Sequence, residues 1–229
     1  MSAFLLIRHA QSTWNAGGRW QGQADPPLSE SGETATAIAA RRLAGGGPFD
    51  LVITSDLARA RRTGEILAGG PGGAPAPTAE PTPDIMATDR GSPPVILEPA
   101  LREFHVGHWS GLTRPEIEQR WPAELALFDE GRLAAPPGGE ARADFDARVR
   151  SAARKVARLI HRHSARRTLI VAHGGVIRSL VRTSGLQERH VANLAGYEGA
   201  AAEDGLRLHH PVDLLHGEPA DHPAGPVAL

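Results

Sequence analysis

The 229-residue chain contains no cysteine, which excludes thiol nucleophiles, disulfide frameworks, iron–sulfur clusters and thiolate zinc sites. All but one of its 25 basic residues are arginine, the exception being Lys155. A Schiff-base enzyme or a Walker-type phosphate loop needs a better-placed lysine than that one. Net charge is nearly absent as well. With 26 acidic residues the formal balance is −1, which leaves no electrostatic footprint for nucleic acid or an anionic membrane. The longest apolar run near the start, Phe4 to Ile7, is too short for a signal-peptide core or a spanning helix. The expectation is a soluble, cytoplasmic protein. What remains is 41% hydrophobic and 22% charged, ordinary for a globular chain. A chain of this length can bury one core without metal or disulfide staples. No internal repeat is visible, and one domain over residues 1–229 is the simplest organisation.

Three short apolar runs are continuous rather than alternating: Phe4-Leu5-Leu6-Ile7, Leu51-Val52-Ile53-Thr54 and Thr168-Leu169-Ile170-Val171-Ala172. That pattern predicts strands buried on both faces, as in a parallel sheet. Helices fall between them. The clearest is expected over about 140–164, where Phe145, Val149, Ala152, Val156, Leu159 and Ile160 form one stripe. A second is expected from about Ser29 to Leu43, stopped by Gly45-Gly46-Gly47, and a third from Asp56 with Ser55 as N-cap. A fourth follows Gly174-Gly175 and ends at Gly185, a suitable C-cap glycine. Strands alternating with helices imply an α/β fold with a mostly parallel sheet. Two stretches read as irregular: a Pro/Gly-rich insertion at about 69–99, and a tail from about residue 196 with weak periodicity.

Chemistry concentrates just after the strands. Ile7 runs into Arg8-His9, Thr54 into Ser55-Asp56-Leu57-Ala58-Arg59, and Ala172 into His173-Gly174-Gly175. Ligands of open α/β sheets bind at the carboxyl ends of the strands. If the three strands are neighbours, two arginines and two histidines meet in a cationic, donor-rich pocket suited to a phosphoryl group. The glycines after His173 would let backbone amides approach an anion at a helix start. Each residue alone is better explained as solvated or structural; three strand ends together favour a phosphate site.

The segment Leu6-Ile7-Arg8-His9-Ala10-Gln11-Ser12-Thr13-Trp14-Asn15 resembles the signature of the histidine phosphatase superfamily, in its phosphoglycerate-mutase-like branch. Four further blocks follow in family order: Leu28–Gly32, Ser55–Thr63, Leu101-Arg102-Glu103 with Gly107–Gly111, and Val171–Arg178. The resemblance covers roughly residues 3–185 and implies a three-layer sandwich, a mostly parallel central sheet flanked by helices. Ala10 stands where glycine is usual, and alanine fits there unless φ is positive.

The resemblance also implies roles. His9 would be the nucleophile, forming a phosphohistidine. Arg8, Arg59 and His173, with the amide of Asn15, would hold the non-bridging oxygens. Glu103 would protonate the leaving oxygen and then take a proton from water. Gln21, Gly22 and Gly174 are the further phosphate-side candidates. No cofactor and no metal is implied. Trp14, Trp20 and Trp109 read better as packing than as pocket walls, and His209, His210, His216 and His222 better as surface than as metal ligands.

The leading expectation is a metal-independent phosphomonoesterase for a small phosphorylated metabolite, with a homodimer possible by analogy with the fold. The rivals are a phosphoglycerate mutase and an inactive regulatory or binding protein. Family mutases usually carry Glu-Arg-His-Tyr-Gly in the acid block, where this chain has Glu103-Phe104-His105-Val106-Gly107. The intact set of His9, Arg8, Arg59, Glu103 and His173 disfavours the inactive reading.

Overall fold

A computed structural model describes residues 2–69 and 93–216. In chain order its elements are β1 (Ala3–Arg8), α1 (Thr13–Ala16), α2 (Glu30–Leu43), β2 (Leu51–Thr54), α3 (Ala58–Gly69), β3 (Val95–Leu97), α4 (Arg114–Arg120), α5 (Pro122–Asp129), α6 (Arg142–Arg162), β4 (Arg167–Ala172), α7 (Gly174–Thr183), β5 (Ala195–Ala202) and β6 (Gly205–Asp213). The strands form one sheet in the order β3-β2-β4-β1-β5-β6. The first three pairings in that order are parallel, and the pairs β1–β5 and β5–β6 are antiparallel.

The continuous apolar runs become β1, β2 and β4. Successive side chains of a strand point to opposite faces, so each run supplies two cores. Leu6, Ile53 and Ile170 join Ile117, Leu125, Val149, Val156 and Ile177 on the face covered by α4 to α7. Leu5, Ile7, Val52, Leu169 and Val171 join Ala39, Ala40, Ala60 and Leu67 under α2 and α3. Helices therefore flank the sheet on both sides. Ser29 caps α2 by accepting the Gly32 amide at 3.0 Å. Gly185, at φ 70°, follows the C-cap of α7. Among the described residues no helix is long and apolar enough to cross a membrane.

The strand order answers the adjacency on which the strand-end reading depended. β4 lies between β1 and β2, with Arg8 level with Ala172 and Thr54 level with Val171. The residues after these strands thus emerge side by side.

Three expectations need correction. The tail from residue 196 is not irregular: Ala195–Ala202 and Gly205–Asp213 form an antiparallel hairpin, and its first strand pairs with β1. Its Ala/Gly-rich sequence hides the strand because the packing demands small residues. A Cβ on Gly196 would stand 1.8 Å from the Leu6 carbonyl oxygen, and one on Gly199 would stand 2.2 Å from that of Arg207. The 69–99 stretch contains β3, a three-residue strand added to the edge at β2; residues 70–92 of that stretch, and residues 217–229 with His222, lie outside the described residues. Finally, α3 begins at Ala58 rather than Asp56. Its start is capped by Asp25, whose Oδ1 accepts the Ala58 amide at 2.6 Å, while Asp56 pairs with Arg102 at 2.8 and 2.5 Å.

Candidate active site

His9 follows β1 directly, its amide bonded to the Ala172 carbonyl of β4 at 3.0 Å. Its Nδ1 lies 2.7 Å from the Ala10 carbonyl oxygen. A carbonyl only accepts, so the ring proton sits on Nδ1. The Nε of Arg59 donates to Nε2 at 3.3 Å, which fixes the lone pair there. Burial first, then the charges of Arg59 and Arg8, hold His9 well below the usual imidazole range. The ring is neutral at physiological pH, with Nε2 unprotonated. Ala10 does not have positive φ, so alanine is accommodated where glycine is usual in the resembling family.

Arg59 projects from the first turn of α3 and is wholly buried. Its remaining nitrogens donate to the Ala24 and Gly22 carbonyls at 2.7 and 2.8 Å. Gly22 thus holds Arg59 in place. At φ 53°, with Val106 side-chain and backbone atoms 2.7 and 3.0 Å from a would-be Cβ, no other residue fits there. Arg8 donates Nη1 to the Val191 carbonyl at 2.7 Å, and its buried Nε has no partner. Burial and neighbouring cations lower Arg8 to about 10. Desolvation lowers Arg59 to about 10 as well, opposed by Glu103 and Asp25. Both guanidiniums are therefore held in a strained electrostatic environment that an anion would relieve.

His173, wholly buried, precedes α7 and faces His9 with ring centroids 5.1 Å apart. Its Nε2 and the Ser55 hydroxyl are 2.9 Å apart, and its Nδ1 is buried without a partner. Desolvation, Arg59, His9 and Arg8 push it well below the ordinary value. Glu103 is buried with Oε1 accepting the Phe104 amide at 2.8 Å and Oε2 accepting the Gly175 amide at 3.0 Å. The helix start at Gly174-Gly175 thereby locks the carboxylate. A Cβ on Gly175 would lie 2.2 Å from Glu103 Oε1.

The structure thus brings Arg8, His9, Arg59, Glu103, His173 and Gly174 together. Asn15 and Gln21 form an adjoining cluster through Ser12, whose hydroxyl meets their side-chain oxygens at 3.2 and 2.7 Å. Trp20 and Trp109 are buried edge-to-face in the core, so they pack rather than line the site. His209 and His210 are exposed on β6.

Sequence reasoning missed four supports. Thr63 accepts the Ala10 amide at 3.0 Å and donates to the Arg59 carbonyl at 2.7 Å, tying α3 to the loop after β1. The segment 191–194 straps the end of β1: Val191 receives Arg8, Asn193 Nδ2 donates to the His9 carbonyl at 2.8 Å, and the Leu194 amide donates to Arg8 at 3.1 Å. Ser55, expected to cap α3, does not do so, since the helix starts at Ala58 under Asp25; its hydroxyl engages His173 instead. Arg178 stands beside Arg8 against Gly174. Thr63 and Arg178 lay inside quoted blocks; nothing local marks the strap, which works through backbone groups.

The model of the histidine phosphatase superfamily, branch 1, matches residues 4–81 and 75–201. The chain belongs to the histidine phosphatase superfamily. A glucosyl-3-phosphoglycerate phosphatase of Mycolicibacterium vanbaalenii is 35% identical over 77% of this chain and 71% of its own length. A 2,3-bisphosphoglycerate-dependent phosphoglycerate mutase of Methylobacterium radiotolerans is 34% identical over 83% of this chain and 82% of its own length. Among solved structures, a mycobacterial glucosyl-3-phosphoglycerate phosphatase in complex with VO3 matches with TM-score 0.67 and 30% identity, covering 91% of this chain and 98% of that one. This superfamily member therefore has both phosphatases and mutases among its relatives.

Proposed function

We propose that this superfamily member is a metal-independent phosphatase of a small phosphorylated metabolite, working through a phosphohistidine on His9. The observation that carries the reading is the His9 tautomer: Nδ1–H bound to Ala10, and the Nε2 lone pair facing the Arg59 N–H. Nε2 attacks phosphorus and the P–O bond to the alcohol breaks. As the phosphoryl group arrives, the Arg59 N–H passes from Nε2 to a non-bridging oxygen, and Arg8, His173 and Asn15 take up the others. Such positioning and charge stabilisation supply most of the catalysis in phosphoryl transfer. Glu103 gives a proton to the departing alcohol oxygen. It then takes one from the water that attacks the phosphohistidine, releasing inorganic phosphate and restoring His9.

A mutase differs only in the second acceptor, and the mutase relatives make it the rival reading. The Glu103–Gly107 sequence, which lacks the usual Arg and Tyr of the mutase acid block, supports the phosphatase. The test is phosphate release in EDTA from a panel of phosphorylated metabolites, with acid-stable and acid-labile protein-bound phosphate measured after quenching. Release and an acid-labile adduct in wild type, both lost in His9→Ala, are expected. Undiminished turnover by His9→Ala would sink the covalent route, and isomerisation without release would favour the mutase.

A further inference from the structure

Glu103 sits on a segment with little structure of its own. After the short helical turn Pro99–Leu101, residues 102–106 belong to no helix or strand, so no regular ladder satisfies their carbonyls or fixes their path. The amides of Phe104 and Gly175 hold the carboxylate, but where that carboxylate stands depends on the main chain beneath it. A single guanidinium grips that main chain.

Arg148 projects from the second turn of α6. Its Nη1 donates to the Ala100 and Arg102 carbonyls at 2.9 and 2.8 Å, and its Nη2 to the Glu103 carbonyl at 3.3 Å. The second N–H of Nη2 and that of Nε go to Glu140, at 2.7 and 2.9 Å. A guanidinium carries its N–H donors in a rigid fork, and here every one is engaged. Glu140 extends the grip past Glu103: its Oε2 accepts the His105 amide at 3.3 Å, and its own amide donates to the His105 carbonyl at 2.9 Å. The Phe145 ring lies 5.0 Å from the guanidinium carbon and stands edge-to-face with Phe104 at 5.2 Å, which fixes the fork's orientation. With its donors spent, Arg148 has nothing left to offer a substrate. It acts only through the chain it holds.

We infer that Arg148 is a positioning residue for the proton donor: by gathering the carbonyls up to Glu103 and, through Glu140, the peptide groups of His105, it sets where the Glu103 carboxyl meets the leaving oxygen. The inference rests on the reading of Glu103 as the general acid. The proton still passes from Glu103 to the alcohol oxygen as the P–O bond breaks, and Arg148 exchanges none. A lysine at this position keeps the charge opposite Glu140 but not the fork, so it releases the carbonyls without stranding the acid. Lys155 supplies the control. Two turns further along α6, it pairs with buried Glu98 at 2.7 Å, whose Oε1 accepts the Ala100 amide at 3.0 Å. It braces the same segment at the end away from Glu103.

The experiment measures kcat and KM for glycerol 3-phosphate and 4-nitrophenyl phosphate in wild type, Arg148→Lys, Glu140→Gln and Lys155→Met, with urea unfolding to grade stability. A reacting group displaced by about 1 Å costs on the order of 100-fold in rate. Arg148→Lys is expected to lose about that factor in kcat on the alkyl ester, which needs a protonated leaving group, with KM within about threefold. On the aryl ester the fall should stay below about tenfold. Glu140→Gln, which keeps the shape but not the charge, should show the same split at smaller size, and it carries the test if Arg148→Lys does not fold. Lys155→Met should lower the urea midpoint and slow both esters equally. Equal losses on the two esters in Arg148→Lys, no loss on either, or the same split in Lys155→Met would overturn the assignment. If wild type turns over no ester, the phosphatase reading fails separately. Amide hydrogen exchange at Phe104 and Gly175, the donors to Glu103, then decides on Arg148 alone. An acceleration of about tenfold in Arg148→Lys, the value of one net hydrogen bond, is expected, and unchanged exchange overturns it.

Discussion

Replacing Gly175 by alanine tests the placement of Glu103 without touching the carboxylate itself. The new Cβ would stand 2.2 Å from Glu103 Oε1, against 3.4 Å for ordinary contact, so the carboxylate must retreat by about 1.2 Å in a close-packed interior. It cannot do so and keep both its amide donors, Phe104 at 2.8 Å and Gly175 at 3.0 Å. The backbone does not resist the change, because φ at Gly175 is not positive. Alanine is also the better helix former by about 1 kcal/mol, which offsets part of the clash and favours a folded variant. A displacement of this size at a reacting group costs on the order of 100-fold in rate. Stopped assays on paired substrates would show it. We expect kcat/KM to fall about 100-fold for alkyl phosphates, which need a protonated leaving group. For 4-nitrophenyl phosphate, whose leaving group needs little help, the fall should stay below about tenfold. Thermal unfolding checks that the protein is intact. Wild-type rates on alkyl phosphates, or equal losses on both esters, would refute the general-acid placement.

Two further expectations concern stability. His9 and His173 are held neutral by burial, then by Arg59, so an unfolded chain binds more protons below about pH 6.5. Their contribution to stability is complete above about pH 6.5 and is lost as pH falls below it, with a slope of up to about 2.7 kcal/mol per pH unit for two protons. Urea unfolding between about pH 5 and 7, above the carboxylate range, measures it; flat stability in wild type, or an unchanged slope in a His9→Gln/His173→Gln variant, would contradict the buried-neutral assignment. Leu194 adopts φ 61° yet is buried at 1% exposure. Leu194→Gly relieves about 1–2 kcal/mol of backbone strain but loses roughly 2–5 kcal/mol of burial, so a net destabilisation of about 2 kcal/mol is expected by urea titration, and stabilisation would show that strain dominates the strap.

The sequence by itself determined the parts whose signals are local. Continuous apolar runs at Phe4–Ile7, Leu51–Thr54 and Thr168–Ala172 pointed to strands buried on both faces. The polar residues that follow each run are carried to the strand ends by covalent connection. Arg8, His9, Arg59 and His173 were therefore legible, and Glu103 became legible through its motif. Tertiary structure alone decided what depends on partners distant in sequence. Inserting β4 between β1 and β2 set His173 5.1 Å from His9. The pairing of an Ala/Gly-rich segment with β1 made β5, because backbone contacts there leave no room for the side chains that usually announce a strand. The strap at 191–194 and the pairing of Arg178 with Arg8 arise the same way. Each joins groups on different elements, and their backbone amides and carbonyls, or a guanidinium among many arginines, carry no mark in the order of residues.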